Sequence, residues 1–255
     1  MIGYWMMKMD EELKSKLRFL HLWGLSENWD HYLTTAQKRD YSHTRILKHI
    51  IDEEYKIKKN KSCQARLQRA HIPEQLVIET FPFDKQPELN KKKIMELVDS
   101  LDYMSRNINV IFIGPTGSGK TGLATSLLIE AIQHGYNGRF IMFPDLIELL
   151  YRSVADHSEE KVIKKFIAYD CLLIDELGYV EVEPVQVGLF FTLMHKRHKR
   201  KTTLITSNLG FSQWDSFLKN PQLTAALIDR LTENSHVINM KNCISLRPKL
   251  NQLQL

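Results

Sequence analysis

Eight consecutive residues, Gly114, Pro115, Thr116, Gly117, Ser118, Gly119, Lys120 and Thr121, have the types and spacing of a loop that cradles phosphates. Glycines let such a loop curl until its backbone N–H groups face an anion, and a helix opening directly after it adds its positive end. A lysine in the place of Lys120 reaches the β- and γ-phosphates of a nucleoside triphosphate, and a hydroxyl in the place of Thr121 ligates Mg²⁺. The apolar stretch "NVIFI" before the loop reads as a buried strand, and "KTGLATSLLIEAIQHG" after it reads as a helix, which is the context the pattern needs. ATP with Mg²⁺ is therefore the expected ligand. Further along, "CLLIDE" runs from apolar Cys171–Ile174 to Asp175 and Glu176. Asp175 would hold Mg²⁺ through water and Glu176 would polarise an attacking water; an ordinary solvated strand end is the bland alternative. Adjacent Asp and Glu favour hydrolysis over transfer, so an ATPase is expected.

Two weaker candidates follow. "LITSN" ends a strand with Thr206, Ser207 and Asn208, and a polar residue there would lie beside the γ-phosphate in a parallel sheet. Arg230 in "ALIDRLTENSHVI" is either a functional arginine or a surface residue of an amphipathic helix, and spacing alone leaves both open.

These residues need a scaffold that brings strand ends together. From Asn109 on, "NVIFIG", "GRFIMF", "YDCLLIDE", "KTTLITSN" and the segment after "ALIDRLTEN" alternate with helical stretches. That order implies an α/β core with a mostly parallel five-stranded sheet covered on both faces. Residues 11 to 70 read as helical, with Leu13, Leu17, Leu20 and Leu22, then Ile46, Ile50 and Ile57, at helical spacing, and with Ser26 and Thr34 or Thr35 as caps. "AHIPEQLVIETFPFDKQP" breaks the pattern, and a helix is expected over Leu89 to Met104. The expected division is a small helical N-terminal domain over 1–75, a nucleotide-binding domain over 76–250 and a tail over 251–255. After the last strand the remaining residues are too few for a helical lid.

Composition narrows the setting. The chain has 255 residues, 43% of them hydrophobic, enough for one substantial core and a small second domain. No apolar run is long enough to cross a membrane, and "MIGYWMMKMDEELKSK" has neither the basic start nor the cleavage site of a secretory leader. Three dispersed cysteines, Cys63, Cys171 and Cys243, suit a reducing cytoplasm. Net charge is +5, unevenly spread. Between Lys38 and Arg69 stand ten Lys/Arg against four Asp/Glu, and His195–Lys201 reads "HKRHKRK" with no acid. Arg45, Lys48, Lys56, Lys58, Lys59 and Lys61 in the first patch, and Lys196, Arg197, Lys199, Arg200 and Lys201 in the second, are candidates to follow a DNA backbone; the second has no Asn or Gln among its cations for base readout, and neither has the spacing of a zinc finger. A domain for subunit contacts or for docking a partner protein is the alternative for the first patch, and an exposed connection for the second.

Taken together, "GPTGSGKTGLATSLLIEAIQHGYNGRF", "DCLLIDELGYV", "TTLITSNLGFSQW" and "ALIDRLTENSHVI" resemble AAA+ ATPases, and within them transposition helper proteins of the IstB type, with helicase loaders of the DnaC type as near relatives. The similarity runs from about residue 13 to residue 248. It implies that Lys120 and Thr121 act as Walker A residues, Asp175 and Glu176 as Walker B, Asn208 as the sensor-one residue, and Arg230 as an arginine finger reaching a neighbouring subunit's ATP. It also implies that "FPFD", with Phe81 and Phe83, approaches the adenine, although two phenylalanines could equally pin the linker to the core. The family ends in a Gly-x-Ser-Tyr-Arg-like strand, whereas this chain reads "NCISLRP", so a nucleotide role for Arg247 is in doubt. The implied function is an ATP-dependent homo-oligomer that assembles on duplex DNA with little sequence preference and recruits or activates a transposase. A loader binding single-stranded DNA, or a DNA-binding scaffold with little turnover, would be the alternatives.

Overall fold

A computed structural model of the chain describes residues 9–74 and 76–247. The first eight residues and the tail expected at 251–255 lie outside them. Packing divides the chain into two compact units, Met1–Ala65 and Arg66–Leu255. The division falls inside a helix, which is why the loss of helical pattern near residue 75 and the change of packing partners do not coincide.

The first unit contains α1 (Glu11–Phe19), α2 (Trp23–Glu27), α3 (Trp29–Lys38) and most of α4 (His43–Ala70). Asp10 caps α1, its carboxylate accepting the Leu13 N–H at 2.7 Å. The caps expected at Ser26, Thr34 and Thr35 are instead inside α2 and α3; the Thr34 hydroxyl turns back to the Asp30 carbonyl at 2.7 Å, a bond open to threonine within a helix. Leu17 and Tyr32 are buried, while Leu20 lies beyond the end of α1 and is exposed. Glu54 is buried too, with one carboxylate oxygen accepting the Leu25 N–H.

In the second unit two short 3₁₀ turns, Ile78–Thr80 and Phe83–Lys85, lead to α5 (Lys91–Ser100) and α6 (Asp102–Ser105). The single helix expected over 89–104 is broken because Leu101 adopts a left-handed backbone with φ of 50°. Then follow β1 (Asn109–Ile113), α7 (Lys120–Gln133), β2 (Gly138–Met142), α8 (Phe143–Ala155), α9 (Glu159–Ile167), β3 (Cys171–Leu177), α10 (Pro184–Arg197), β4 (Thr202–Ser207), α11 (Trp214–Leu218), α12 (Pro221–Thr232) and β5 (Ser235–Asn239).

All four strand pairings are parallel, in the order β2-β3-β4-β1-β5. Every residue of β1 and of β4 is buried, as expected of strands covered on both faces. Successive side chains alternate between the faces, so Ile111, Ile113, Leu172, Ile174 and Ile205 join one core with residues of α8, α9, α10, α11 and α12. α7 covers the sheet as well, burying Leu123, Leu127 and Leu128. The order has a consequence for chemistry. β4 lies between β1 and β3, so the end of β4 separates the loop that follows β1 from the carboxylates that end β3. Among the described residues no helix is long and apolar enough to cross a membrane.

Candidate functional site

The phosphate-type loop joins β1 to α7. Gly117 and Gly119 take φ of 83° and 96°, values a side chain strains to reach, and a Cβ at Gly119 would come within 2.6 Å of the Phe81 ring. Gly119 is also the residue from which α7 starts, so the helix N-terminus opens directly onto the loop. Lys120 is buried, and its ammonium donates to the Gly114 and Pro115 carbonyls, both at 2.8 Å. Burial pulls the ammonium below the ordinary lysine range, against the opposing pull of Asp175 and Glu176.

Across the loop, the Thr121 hydroxyl meets both oxygens of Asp175, at 3.0 and 3.1 Å. The Thr206 hydroxyl donates to Asp175 Oδ1 at 2.5 Å and accepts the Glu176 N–H at 3.0 Å. One hydroxyl thus fixes the carboxylate of Asp175 and the backbone of Glu176. The β3–β4 register shifts between Ile174 and Leu177, and Glu176 sits in that irregularity with φ of 59°. A non-glycine residue in the left-handed region is uncommon. Here it turns Glu176 out of strand alternation into the pocket. Desolvation raises both carboxyl groups, that of Glu176 with a further push from Asp175.

Lys120, Thr121, Glu176 and Thr206 line a pocket of about 550 Å³ with Glu74, Leu76, Thr116, Gly117, Gly119, Tyr179, Asn208, Leu246 and Arg247, and Asp175 lies behind Thr121 and Thr206. Asn208 Oδ1 is buried with no partner among the described residues. An orphaned buried acceptor, glycines that leave room for no side chain and a hydroxyl–carboxylate pair at a helix N-terminus fit a Mg²⁺-bound triphosphate. Thr121 and Asp175 are the residues that would hold the metal.

Several lining residues escaped the sequence reading. Tyr179, in the turn after β3, meets the Thr116 hydroxyl at 3.2 Å. Arg247, left in doubt by the missing glycine and tyrosine, does reach the pocket. The segment before it is bound to the loop: the Leu246 N–H donates to the Gly117 carbonyl at 2.8 Å, and the Gln86 amide bridges Ser118 and Ile244. Phe81 and Phe83 pack edge to face at 4.8 Å between ring centres, Phe81 against Gly119 and Phe83 beneath the Lys91 ammonium. Neither is among the pocket's lining residues, and Leu76 is.

Arg230, on α12, is outside this pocket. Its guanidinium lies 4.7 Å over the Phe191 ring, donates to His195 Nδ1 at 3.1 Å and reaches the Ala226 carbonyl at 2.9 Å.

The basic candidates divide sharply. Arg197 is a correction: it is 1% exposed and cannot touch DNA. Its guanidinium donates to the carbonyls of Phe166 and Tyr169 at 2.8 Å and of Thr202 at 2.5 Å, and to the Thr203 hydroxyl at 3.1 Å, which closes the ends of α9 and β4 around it. Burial lowers it to about 10, still protonated at neutral pH. Lys199 pairs with Glu233, and Lys201 with Asp170 at 2.5 Å. Lys196 and Arg200 are exposed, and among the described residues neither makes an ion pair. In α4, all six candidates are exposed. At about 100° per residue, Arg45, Lys48, Lys56 and Lys59 fall within roughly 80° of one another, opposite Ile46, Ile50 and Ile57, while Lys58 and Lys61 fall outside that sector. Lys56 is paired with Glu53 at 2.8 Å, and Arg45 lies over the Tyr41 ring.

A five-stranded parallel sheet with β4 between the phosphate loop and the Asp-Glu strand end defines a P-loop nucleotide-binding fold. Solved structures agree on the fold. One titled DnaI superposes with a TM-score of 0.56 at 17% identity, covering 66% of this chain and 92% of that one. AMPPCP-bound DnaA from Aquifex aeolicus superposes with 0.54 at 18%, covering 67% and 51%. Residues 15–253 match the family described as IstB-like ATP binding protein, and the chain belongs to that family. An insertion sequence IS5376 protein of Geobacillus stearothermophilus, described as ATP-binding, is 31% identical over 91% of this chain and 92% of its own length. An IS21 counterpart from Pseudomonas aeruginosa is 30% identical over 91% and 86%.

Proposed function

We propose that this chain is the ATP-hydrolysing helper of an insertion sequence, assembling on duplex DNA in the ATP state and there engaging its transposase in the cytoplasm. The observation that carries the reading is the position of Arg230. A pocket otherwise furnished for hydrolysis has its candidate finger held on another face, by Phe191, His195 and Ala226. An arginine so placed serves a neighbouring copy's nucleotide, which makes turnover depend on assembly. An arginine supplied in trans accelerates phosphoryl transfer by about 10³–10⁵ in other P-loop enzymes.

In this reading Lys120, the loop N–H groups and the α7 N-terminus bind the phosphates. Mg²⁺ at Thr121 and Asp175 would neutralise charge building on the phosphate oxygens. Glu176 accepts the proton of the attacking water, and Asn208 orients that water with its free Oδ1. Arg247 adds a positive charge from the segment that crosses the loop. The helical N-terminal region supplies DNA contact through Arg45, Lys48, Lys56 and Lys59, with Lys196 and Arg200 as the remaining contacts of the second patch. Leu47, Ile51 and Tyr55 form an exposed apolar row along α4, suited to contact with another copy or the transposase.

Light scattering after size separation tests this, with ATP or ADP and with duplex, single-stranded or no DNA. A large complex formed only with ATP and duplex is expected, and Glu176→Gln should prolong its lifetime. A complex preferring single strands would favour a loader-like function. ATP-dependent assembly without DNA-stimulated turnover would favour a scaffold, and a monomer throughout would leave Arg230 without a nucleotide to serve.

A further inference from the structure

A second pocket, of about 620 Å³, opens at the other end of the sheet, where β2 and β3 begin. Arg66, Arg69, Arg139, Lys165 and His71 line it together with Tyr169, and among the described residues no carboxylate does. The cations are placed by backbone. Arg66 Nε donates to the Ile132 carbonyl at the end of α7, and an Arg139 Nη donates to the Arg69 carbonyl at the end of α4, both at 3.4 Å. Those bonds leave the fork of Arg139 incompletely used: its Nε is buried and has no acceptor among the described residues. Neither Arg139 nor Lys165 has an ion-pair partner among them either. Asp170, next in the chain to Tyr169, is already committed to the Asn137 N–H at 2.9 Å and to Lys201.

We propose that this pocket is a phosphate subsite for the backbone of DNA, a contact of the ATPase unit additional to the two basic stretches of the sequence. Arg139 and Lys165 bring two positive charges to the pocket that no ion pair among the described residues offsets, and an anion relieves their repulsion. Guanidinium forks match phosphate oxygens in pairs, and a trough of this size accepts consecutive phosphates of a strand rather than one small ion. Half-buried Tyr169 gives the sugar an apolar wall. Among the described lining residues Asn137 has the one side-chain amide, and the arginines are the groups suited to phosphate oxygens, so the contact carries mainly register and affinity. The site rests on the DNA-binding reading above.

The test uses the full chain, a labelled duplex and a non-hydrolysable ATP analogue, with affinity read by fluorescence anisotropy over a salt series. Arg139→Gln and the exposed Lys165→Glu should each weaken binding by about fivefold or more, and each should lower the slope of log K against log salt by about one. Lys92→Glu, the same charge change on exposed α5, should have the smaller effect. Lys165→Glu matching Lys92→Glu, with wild type still binding DNA, overturns the subsite alone. Absence of DNA binding by wild type overturns both the subsite and the reading it rests on. Calorimetry with pyrophosphate, the nucleotide pocket being filled by the analogue, covers the remaining case: binding lost in Arg139→Gln while DNA affinity is unchanged would make this a small-anion site and overturn the proposal.

Discussion

Gly114–Thr121 and His195–Lys201 are the two stretches where the sequence concentrates chemistry, and the structure treats them in opposite ways. In the first, Thr116, Gly117, Gly119, Lys120 and Thr121 all line one pocket. In the second, five Lys and Arg residues that look like one surface divide among three roles. Arg197 is a buried tie, Lys199 and Lys201 are paired with acids, and Lys196 and Arg200 remain exposed. The first stretch is defined by backbone conformations that few sequences adopt. The second is defined by composition, and composition says nothing about which way a side chain points when a helix ends and a strand begins.

The comparison can be broken at its strongest point first. Glu176→Gln should lower ATP turnover by about 10²-fold or more, the usual scale for losing a general base, while nucleotide affinity changes little. Steady-state hydrolysis with fluorescent-nucleotide titration reads both. A variant that hydrolyses normally would mean that the carboxylate turned inward by the β3 irregularity is not the base.

Next in size is Arg197→Met. It removes the donor for three carbonyls in the interior, so a loss of about 3 kcal/mol is expected, or a fall of roughly 6–12 °C in Tm. Thermal unfolding checks it, and DNA affinity of the folded variant should be unaltered. Reduced DNA binding with unchanged stability would return Arg197 to the surface role that its neighbours suggest.

The smallest effect sharpens the same contrast. Burial raises the Asp170 carboxyl, but the hydrogen bonds from Lys201 and the Asn137 N–H and the charges of Lys201 and Arg197 outweigh it, holding the group below its usual range. A carboxyl lowered in the folded state contributes stability above its unfolded value, and that contribution disappears as pH falls through the folded one. Lys201→Ala should therefore cost about 1 kcal/mol or less at neutral pH, with the difference from wild type shrinking below about pH 4. A difference that persists undiminished at pH 3 would show that Lys201 acts by packing alone.

Much of this molecule was legible from the sequence. The strand–helix alternation gave the parallel sheet because buried strands leave unbroken apolar runs, and the phosphate loop was legible because its glycines have one purpose. The break in the 89–104 helix was not, since Leu101 carries no mark of a left-handed residue. Nor was α9, whose "EEKVIKKFI" is short and mostly polar. Leu76 and Tyr179 reach the pocket by tertiary placement that no spacing records, and Arg247 does so although the glycine and tyrosine of the family's closing strand are missing. The cationic pocket was missed for the same reason: Arg66 and Arg69, Arg139 and Lys165 are far apart in the chain, and only the docking of α4, β2 and α9 collects them.

The strand order also bears on how the protein is made. β1 is the first strand to leave the ribosome, yet both of its hydrogen-bonded neighbours, β4 and β5, are the last. β2 and β3 can pair soon after synthesis, whereas the phosphate loop must wait for Thr206 and Asn208 before its pocket has a second wall. Such non-local pairing is slow to form and exposes apolar strands meanwhile. A nascent chain stalled before β4 would therefore bind no nucleotide, and the emerging protein becomes responsive to ATP only near the end of its translation.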